Sequence, residues 1–169
     1  MPIALCLHVT LLLAVACGYH VVRYGDLPGA ARSVSVRTLQ NDSTEPGVEL
    51  LVSEALRREV LRRGGLRLVA DPDDADIVIG GRVRPIQTMS KSFSSVILAL
   101  EHTLTLAVDL KVERRGEEVI DLSRAPLRES EIYLASPDLE VGRKNRQEAL
   151  RRLSGLIAGR VHDALDREL

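Results

Sequence analysis

The chain has 169 residues and a formal net charge of −1, with 28% charged residues. So balanced a charge gives no global field that would favour nucleic acid or an acidic partner. Aromatic residues make up only 2% of the chain, so aromatic platforms that stack single-stranded nucleic acid or carbohydrate are not expected. The length allows one compact domain, whose core must be built from Leu, Val, Ile and Ala.

The N-terminus carries an apolar run from Ile3 to Ala16. Its 14 residues suit the hydrophobic part of an export signal, because spanning a bilayer takes about 20. Small residues lead directly to Cys17, and Ala14-Val15-Ala16-Cys17 resembles the lipobox that the lipoprotein signal peptidase cleaves. No Lys or Arg precedes the run, so either the true start lies upstream or the α-amino group supplies the charge. The alternative is a buried N-terminal strand or helix of a cytosolic protein.

Cleavage of the predicted signal, residues 1–16, would leave Cys17 as the one cysteine of the mature chain, because Cys6 departs with the signal. An intrachain disulfide is then impossible, and Cys17 is free to carry acyl chains. Two or three acyl chains anchor a protein stably where one does not. Gly18 rather than Asp follows the cysteine, which by the lipoprotein sorting pattern indicates the outer membrane.

Residues 17–31 are predicted to form a tether and residues 32–169 a single domain. In the first half of this domain, we expect strands over residues 33–40, 66–69 and 77–84 and one helix from Val48 to Gly64-Gly65. Apolar residues at helical spacing predict the helix, the polar cluster 41–47 is expected to cap it, and the two glycines are expected to end it. Gly80-Gly81 inside the third strand indicates a bulge or close packing rather than a site.

The second half of the domain contains the clearest strand pattern, over residues 103–112. Alternate apolar residues there predict one buried face, which suits an antiparallel sheet covered on a single side. The polar, serine-rich segment 87–95 is interpreted as a loop, residues 114–117 as a hairpin turn, and residues 119–127 as the return strand. A long amphipathic helix is predicted beyond Pro137. Its apolar stripe comprises Ala149, Leu150, Leu153, Leu156, Ile157, Val161, Ala164 and Leu165.

This order of elements, β-α-β-β-β-β-α, predicts an α+β fold. Two helices can cover one face of a four- or five-stranded mixed, largely antiparallel sheet, which gives a two-layer sandwich. The other face of the sheet would then be left in contact with solvent.

Residues that would form an active site or a metal site are not found in the sequence. The three histidines outside the signal fall on different predicted elements, and Cys17 would be consumed by lipid, so a metal site is not expected. The Asp-rich segment 71–76 resembles a calcium loop superficially, but Pro72 follows the first Asp and no Glu closes it. We expect a capped, solvated turn there instead. No nucleophile elbow, Gly-rich phosphate loop or zincin motif occurs, which favours a protein that is not an enzyme.

Taken together, these segments resemble the lipopolysaccharide-assembly lipoprotein family, LptE. The resemblance rests on Cys17-Gly18-Tyr19 after the signal and on the strand that leads into residues 41–49 and a helix. It continues through Ala75-Asp76-Ile77-Val78-Ile79-Gly80-Gly81, the serine-rich segment, the long strand, Tyr133 and the C-terminal helix. The arrangement covers essentially the whole mature chain in order. Leu39 departs from it, because the family often has an aromatic residue before this turn.

The resemblance implies a role without catalysis. Members of the family sit as a plug in the lumen of the outer-membrane β-barrel LptD, help it to assemble and assist delivery of lipopolysaccharide to the outer leaflet. The implied partners are LptD, lipopolysaccharide and, through the lipid on Cys17, the inner leaflet of the outer membrane. No cofactor is implied beyond that covalent lipid.

We expect the contacts with these partners on the solvent-exposed face of the sheet and in one apolar segment. Basic residues on or beside this solvent-exposed face could bind the phosphates of lipid A: Arg82, Arg84, Lys91, Lys111, Arg114 and Arg115. For each of them the alternative is an ordinary solvated charge. Val96, Ile97 and Leu98 follow the serine-rich segment and could contact the barrel, or could simply be more strand with a buried end.

A second function also fits the N-terminal half of the domain. The strand, the polar turn, the helix and Ala75-Asp76-Ile77-Val78-Ile79-Gly80-Gly81 are also similar to periplasmic lipoprotein regulators and secretion-pore subunits. Penicillin-binding-protein activators and the curli-pore subunit are examples. The chain lacks a pair of pore-forming hairpins and a long disordered tether, which favours the LptE family.

Overall fold

The computed structural model describes residues 31–93, 99–114, 117–121 and 127–168. Two helices are present in this part of the chain, α1 (Val48–Arg63) and α2 (Leu139–Glu168). A 3₁₀ turn spans Pro72–Asp74. The strands are β1 (Ser33–Val36), β2 (Gln40–Asn41), β3 (Arg67–Leu68), β4 (Ile77–Val83), β5 (Gln87–Phe93), β6 (Ala99–Arg114), β7 (Glu117–Asp121) and β8 (Leu127–Leu134). Neither helix is long and apolar enough to cross a membrane.

The eight strands form one mixed sheet organised around β6. Strands β4 and β5 pair one after the other with the same edge of β6, opposite residues 108–114 and 99–105. Strands β7 and β8 pair with its other edge, and all four pairings are antiparallel. On the far side of β4 lie β1 and β2, and β3 lies beyond β1; these pairings are parallel. The eight strands thus occupy five lateral positions, which confirms the predicted α+β sandwich with a mixed, largely antiparallel sheet.

A single hydrophobic core lies between the helices and one face of this sheet. The alternate residues of β6 that were predicted to be buried are all in the core: Leu104, Leu106, Val108, Leu110 and Val112. Val52 of α1 and Leu153 and Ile157 of α2 are fully buried against them. Each such side chain contributes roughly 1.5–3 kcal/mol when it leaves water. Burial of these side chains fixes which face of the sheet the helices cover.

Helices α1 and α2 run in parallel and are joined by ion pairs at their C-terminal ends. Arg63 lies 2.6 Å from Asp163 and also donates to Glu59, which accepts two hydrogen bonds from Arg62 as well. The hydrogen bond from Arg62, with that from Arg63, lowers the pKa of the Glu59 carboxyl from 4.5 to about 2, against the opposing effect of burial. Glu59 is therefore negatively charged in the folded protein at neutral pH.

Of the two glycines in the described strands, Gly80 and Gly81, only Gly81 has a backbone environment that excludes a side chain. Its φ is +150°, and a Cβ at this position would lie 2.1 Å from the carbonyl oxygen of Asp109 on β6. That contact is with backbone, so no change of rotamer could relieve it. The predicted close packing at Gly80-Gly81 is confirmed at Gly81.

The interpretation of residues 87–95 as a loop was wrong, because Gln87–Phe93 form strand β5. Residues 87–91 are all exposed, so no alternation between buried and exposed positions marks the strand in the sequence. Its backbone pairs with β6 through a register shift near Ser92. For residues 87–91, pairing with a neighbouring strand rather than burial of side chains therefore determines the extended conformation.

Other predicted boundaries also differ from the structure. The first strand divides into β1 and β2, and the return strand over 119–127 is replaced by β7 and β8, which ends at Leu134. Leu156, placed on the apolar stripe of the last helix, is 53% exposed. The side chains of the cluster 41–47 do not cap α1 as expected, because the N-cap is its last residue, Gly47, and no side-chain hydrogen bond caps the helix. Asn41 and Ser43 bond within the turn instead.

Candidate functional site

The face of the sheet turned away from the helices, which we call the open face, is the candidate interaction surface. On β6 it carries the odd-numbered residues, because the even-numbered residues 104–112 lie in the core. The register places Arg82 of β4 opposite Asp109 and Lys111 opposite Gly80 on this face. Two of the predicted phosphate contacts, Arg82 and Lys111, therefore share one surface with Arg84.

Arg82 and Arg84 contact the buried carboxylate of Asp109, a residue that the sequence pattern predicted to lie on the solvent-exposed face. The Asp109 side chain is only 8% exposed, although neither of the two described helices covers this side of the sheet. Arg84 Nε lies 2.8 and 2.9 Å from its two oxygens, and Arg82 Nε lies 3.6 Å away. Arg82 also approaches Asp42, with an Nη1–Oδ2 distance of 3.6 Å. The arginines are thus fixed in place by acidic partners rather than freely solvated.

The other predicted contacts are not brought to this cluster. Lys91 is exposed on β5, further along the sheet. Arg114 is opposite Ile77 at the end of β6, in the even-numbered series that faces the helices. Arg115, Val96, Ile97 and Leu98, like the lipid-attachment residue Cys17, lie outside the described residues.

Apolar side chains are exposed at the end of the open face formed by β5, β6 and β8. Met89, Thr103 and Ile132 stand side by side on the three strands. Met89 is 69% exposed and Ile132 42%, and Leu134 follows on the same face of β8 with 62% exposed. The open face thus has a charged region near β4 and an apolar region at this end. The sequence analysis did not reveal this amphipathic division, because it did not predict β5 or the full length of β8.

A polar cluster on the helix side of the same strands was also missed. Arg146 of α2 donates to Glu45 at 2.9 Å, to Thr88 of β5 at 2.9 Å and to the Tyr133 hydroxyl of β8 at 3.5 Å. Burial opposes the charge of Arg146, but the hydrogen bonds with Tyr133 and Glu45 outweigh it and raise its pKa. The ring of Tyr133 lies 5.4 Å from that of His102. One arginine therefore links α2 with β5, β8 and the turn before α1, and Glu45 lies 101 positions before it in the sequence.

The Asp-rich segment forms the capped turn that the sequence predicted. Asp71 accepts a hydrogen bond from the Asp73 amide, and Pro72 begins the 3₁₀ turn. Asp76 accepts from the amides of Arg32 and Ser33, which joins the turn to β1. Among the described residues no group of three or more His, Cys, Asp or Glu side chains could hold a metal ion.

Solved structures of bacterial lipoproteins share this fold. The rare lipoprotein B from Shewanella oneidensis has a TM-score of 0.52 and 17% identity, over 78% of this chain and 95% of that one. An uncharacterized lipoprotein B from Nitrosomonas europaea has a TM-score of 0.55 and 14% identity, over 80% and 81%. A minor lipoprotein from Acinetobacter baumannii has a TM-score of 0.52 and 14% identity, over 79% and 91%. At these identities the likeness concerns the fold.

Curated proteins, by contrast, give no match to this chain. The family model described as lipopolysaccharide-assembly, LptE, matches residues 31–165, which include every helix and strand of the structure except the last turn of α2. The chain belongs to the LptE family of lipopolysaccharide-assembly proteins.

Proposed function

We propose that this protein is a non-catalytic outer-membrane lipoprotein that plugs the lumen of the β-barrel LptD, helps the barrel to assemble and assists transport of lipopolysaccharide to the outer leaflet. The observation that carries the proposal is the family match over residues 31–165. The open face supports it, because the lumen of such barrels is polar and charged side chains of the sheet can meet it there.

The anchor in this proposal is an acylated Cys17 on the periplasmic face of the outer membrane. Ala31, where the described domain begins, follows Cys17 by 14 residues. At 3.3–3.6 Å per residue they reach at most about 50 Å. A tether of this length keeps the domain near the membrane and raises its effective concentration at the barrel.

The proposed contacts with lipopolysaccharide are the basic residues on and beside the open face. Arg82 and Arg84 are the best placed, since Asp109 fixes their guanidinium groups on the surface. Lys91, Lys111, Arg114 and Arg115 remain proposed contacts, as do Val96, Ile97 and Leu98 with the barrel. Arginine suits lipid A phosphates because it binds them through two parallel hydrogen bonds.

Affinity capture from detergent-solubilised membranes tests the proposal. The full chain with a C-terminal tag is expected to retain a large β-barrel protein that resists mild denaturation. A Cys17→Ser variant, expressed at the same level, should show reduced capture because it lacks the anchor. Recovery of a peptidoglycan synthase or of a secretion pore instead would replace this proposal with the regulator or pore-subunit function.

Mass spectrometry of the mature N-terminus tests the anchor separately. The expected species begins at Cys17 and carries diacylglycerol and an N-acyl chain. An intact Met1 in a soluble fraction would contradict both cleavage and lipidation.

A further inference from the structure

Two arginines flank Ala107 of β6 on the open face, one from each neighbouring strand. Arg84 donates its backbone amide to the Ala107 carbonyl at 2.9 Å, and Arg128 of β8 is opposite Ala107 on the other edge of the strand. Two inter-strand spacings of about 4.8 Å put the Cα atoms of Arg84 and Arg128 roughly 10 Å apart. Both side chains are exposed, whereas Ala107 is buried and has no side chain beyond Cβ. The two guanidinium groups can therefore approach one small ligand from opposite sides.

The free hydrogen-bond donors of these two arginines are well defined. Asp109 occupies only Nε of Arg84, so the two terminal nitrogens of that guanidinium have no hydrogen-bond partner among the described residues. Arg128 makes no ion pair with any residue that the structure describes, unlike Arg82, Arg152 and Arg160. The two guanidinium groups thus present unused donors, and Asp109, the carboxylate that contacts Arg84, is already engaged.

We propose that Arg84 and Arg128 form a binding site for a phosphate group over Ala107, and that Asp109 is its positioning residue. This inference rests on the proposed function, in which such a group is presented by lipopolysaccharide, and it adds Arg128 and Asp109 to the contacts. A phosphate fits because it is compact, carries negative charge and accepts several hydrogen bonds, as two guanidinium forks require.

The proposed role of Asp109 predicts the opposite effect of a substitution from the one that its charge alone would predict. Through simple Coulomb attraction, loss of a negative charge beside the site should strengthen anion binding. As a positioning residue, however, Asp109 fixes Arg84 at Nε and turns its terminal nitrogens toward the ligand, and such prior ordering lowers the entropic cost of binding. Replacement of Asp109 by the isosteric Asn should therefore weaken phosphate binding.

Equilibrium binding of the purified, detergent-solubilised protein to lipid A micelles tests the site. Arg84→Gln and Arg128→Gln should each weaken binding about tenfold, the loss expected when a charge-assisted hydrogen bond is removed. Asp109→Asn should weaken it severalfold, and Arg84→Lys should do the same with the charge kept. Arg58→Gln is the matched control, because Arg58 is exposed on α1 in the opposite layer and its loss removes the same charge. It should bind like wild type.

The chemistry of the ligand is tested with three probes. Removal of the phosphates from lipid A should weaken its binding to wild type at least tenfold. The dephosphorylated lipid should bind wild type and the Arg84→Gln variant with equal affinity. Inorganic phosphate should compete with lipid A; competition at micromolar concentration would assign the site to the free anion, and competition only at millimolar concentration to a lipid headgroup. Binding that does not depend on the lipid phosphates overturns the site.

The outcomes separate this inference from the proposed function. If wild type binds lipid A and captures the barrel but Arg84→Gln and Arg128→Gln bind as well as Arg58→Gln, the site is wrong and the function stands. If Asp109→Asn binds more tightly while its melting temperature is unchanged, Asp109 does not position Arg84. If Asp109→Asn fails to fold, Arg84→Lys decides: wild-type affinity in that variant overturns the positioning argument. Absence of lipid A binding in wild type overturns the site, whereas barrel capture is measured independently.

Discussion

Replacement of Gly81 by Ala should destabilise the domain far more than the same change at its neighbour Gly80. The new Cβ of Gly81→Ala would lie 2.1 Å from the Asp109 carbonyl oxygen and 3.0 Å from two atoms of Leu110. The carbonyl belongs to the backbone of β6, so β4 and β6 would have to separate. At Gly80 an added Cβ meets only Arg37 Cδ, at 3.9 Å, which is ordinary contact.

The expected loss has two parts. A non-glycine residue held at a φ of +150° costs about 1–3 kcal/mol, and forcing extra volume between packed strands costs a further 1–3 kcal/mol. Together they remove roughly 2–6 kcal/mol from a free energy of unfolding that is typically 5–15 kcal/mol for one domain. Gly80→Ala should change it by less than about 1 kcal/mol, since it also restricts the unfolded chain.

Urea unfolding followed by circular dichroism measures both variants. Gly81→Ala should unfold at a clearly lower urea concentration with an unchanged dependence of the free energy on urea, and Gly80→Ala close to wild type. Equal losses in the two variants would refute the reasoning, because the effect would then come from placing alanine in this strand and not from the approach of the β6 backbone.

Three further predictions concern the helices. Stability should fall as the pH drops from about 4.5 toward 2, because the Glu59 pKa of about 2 lies below its unfolded value of 4.5; Glu59→Gln should remove that part of the pH dependence in acid-unfolding curves. Arg146→Met should lower the free energy of unfolding by about 1–2 kcal/mol, because it leaves its half-buried partners Glu45 and Tyr133 without their hydrogen bonds, whereas Arg143→Met, whose side chain is 67% exposed, should have little effect; similar losses in calorimetry would contradict this. Leu153→Ala should cost about 2–5 kcal/mol in urea unfolding and Leu156→Ala less than about 1, and an equal cost would mean that the two positions are buried alike.

Elements with one buried face were predictable from the sequence. The alternation over residues 103–112 and the helical spacing from Val48 onward each reflect a core side and a water side, and both patterns agree with the structure. Gly64 ends α1 with a φ of +71°, a conformation that glycine adopts at no steric cost. Local side-chain chemistry also determined the turn at Asp71, where a carboxylate caps the following amide.

The contacts that define the candidate site were decided by tertiary structure alone. Residues 87–91 of β5 are all exposed, so they carry no periodic signal and their conformation depends on pairing with β6. Asp109 follows the polar series of β6, and only the pairing register brings Arg82 opposite it and Arg84 over it. Arg128 faces Ala107 for the same reason. Periodicity reports which side of an element is buried, but the neighbours across strands depend on register, which is set when the whole sheet assembles.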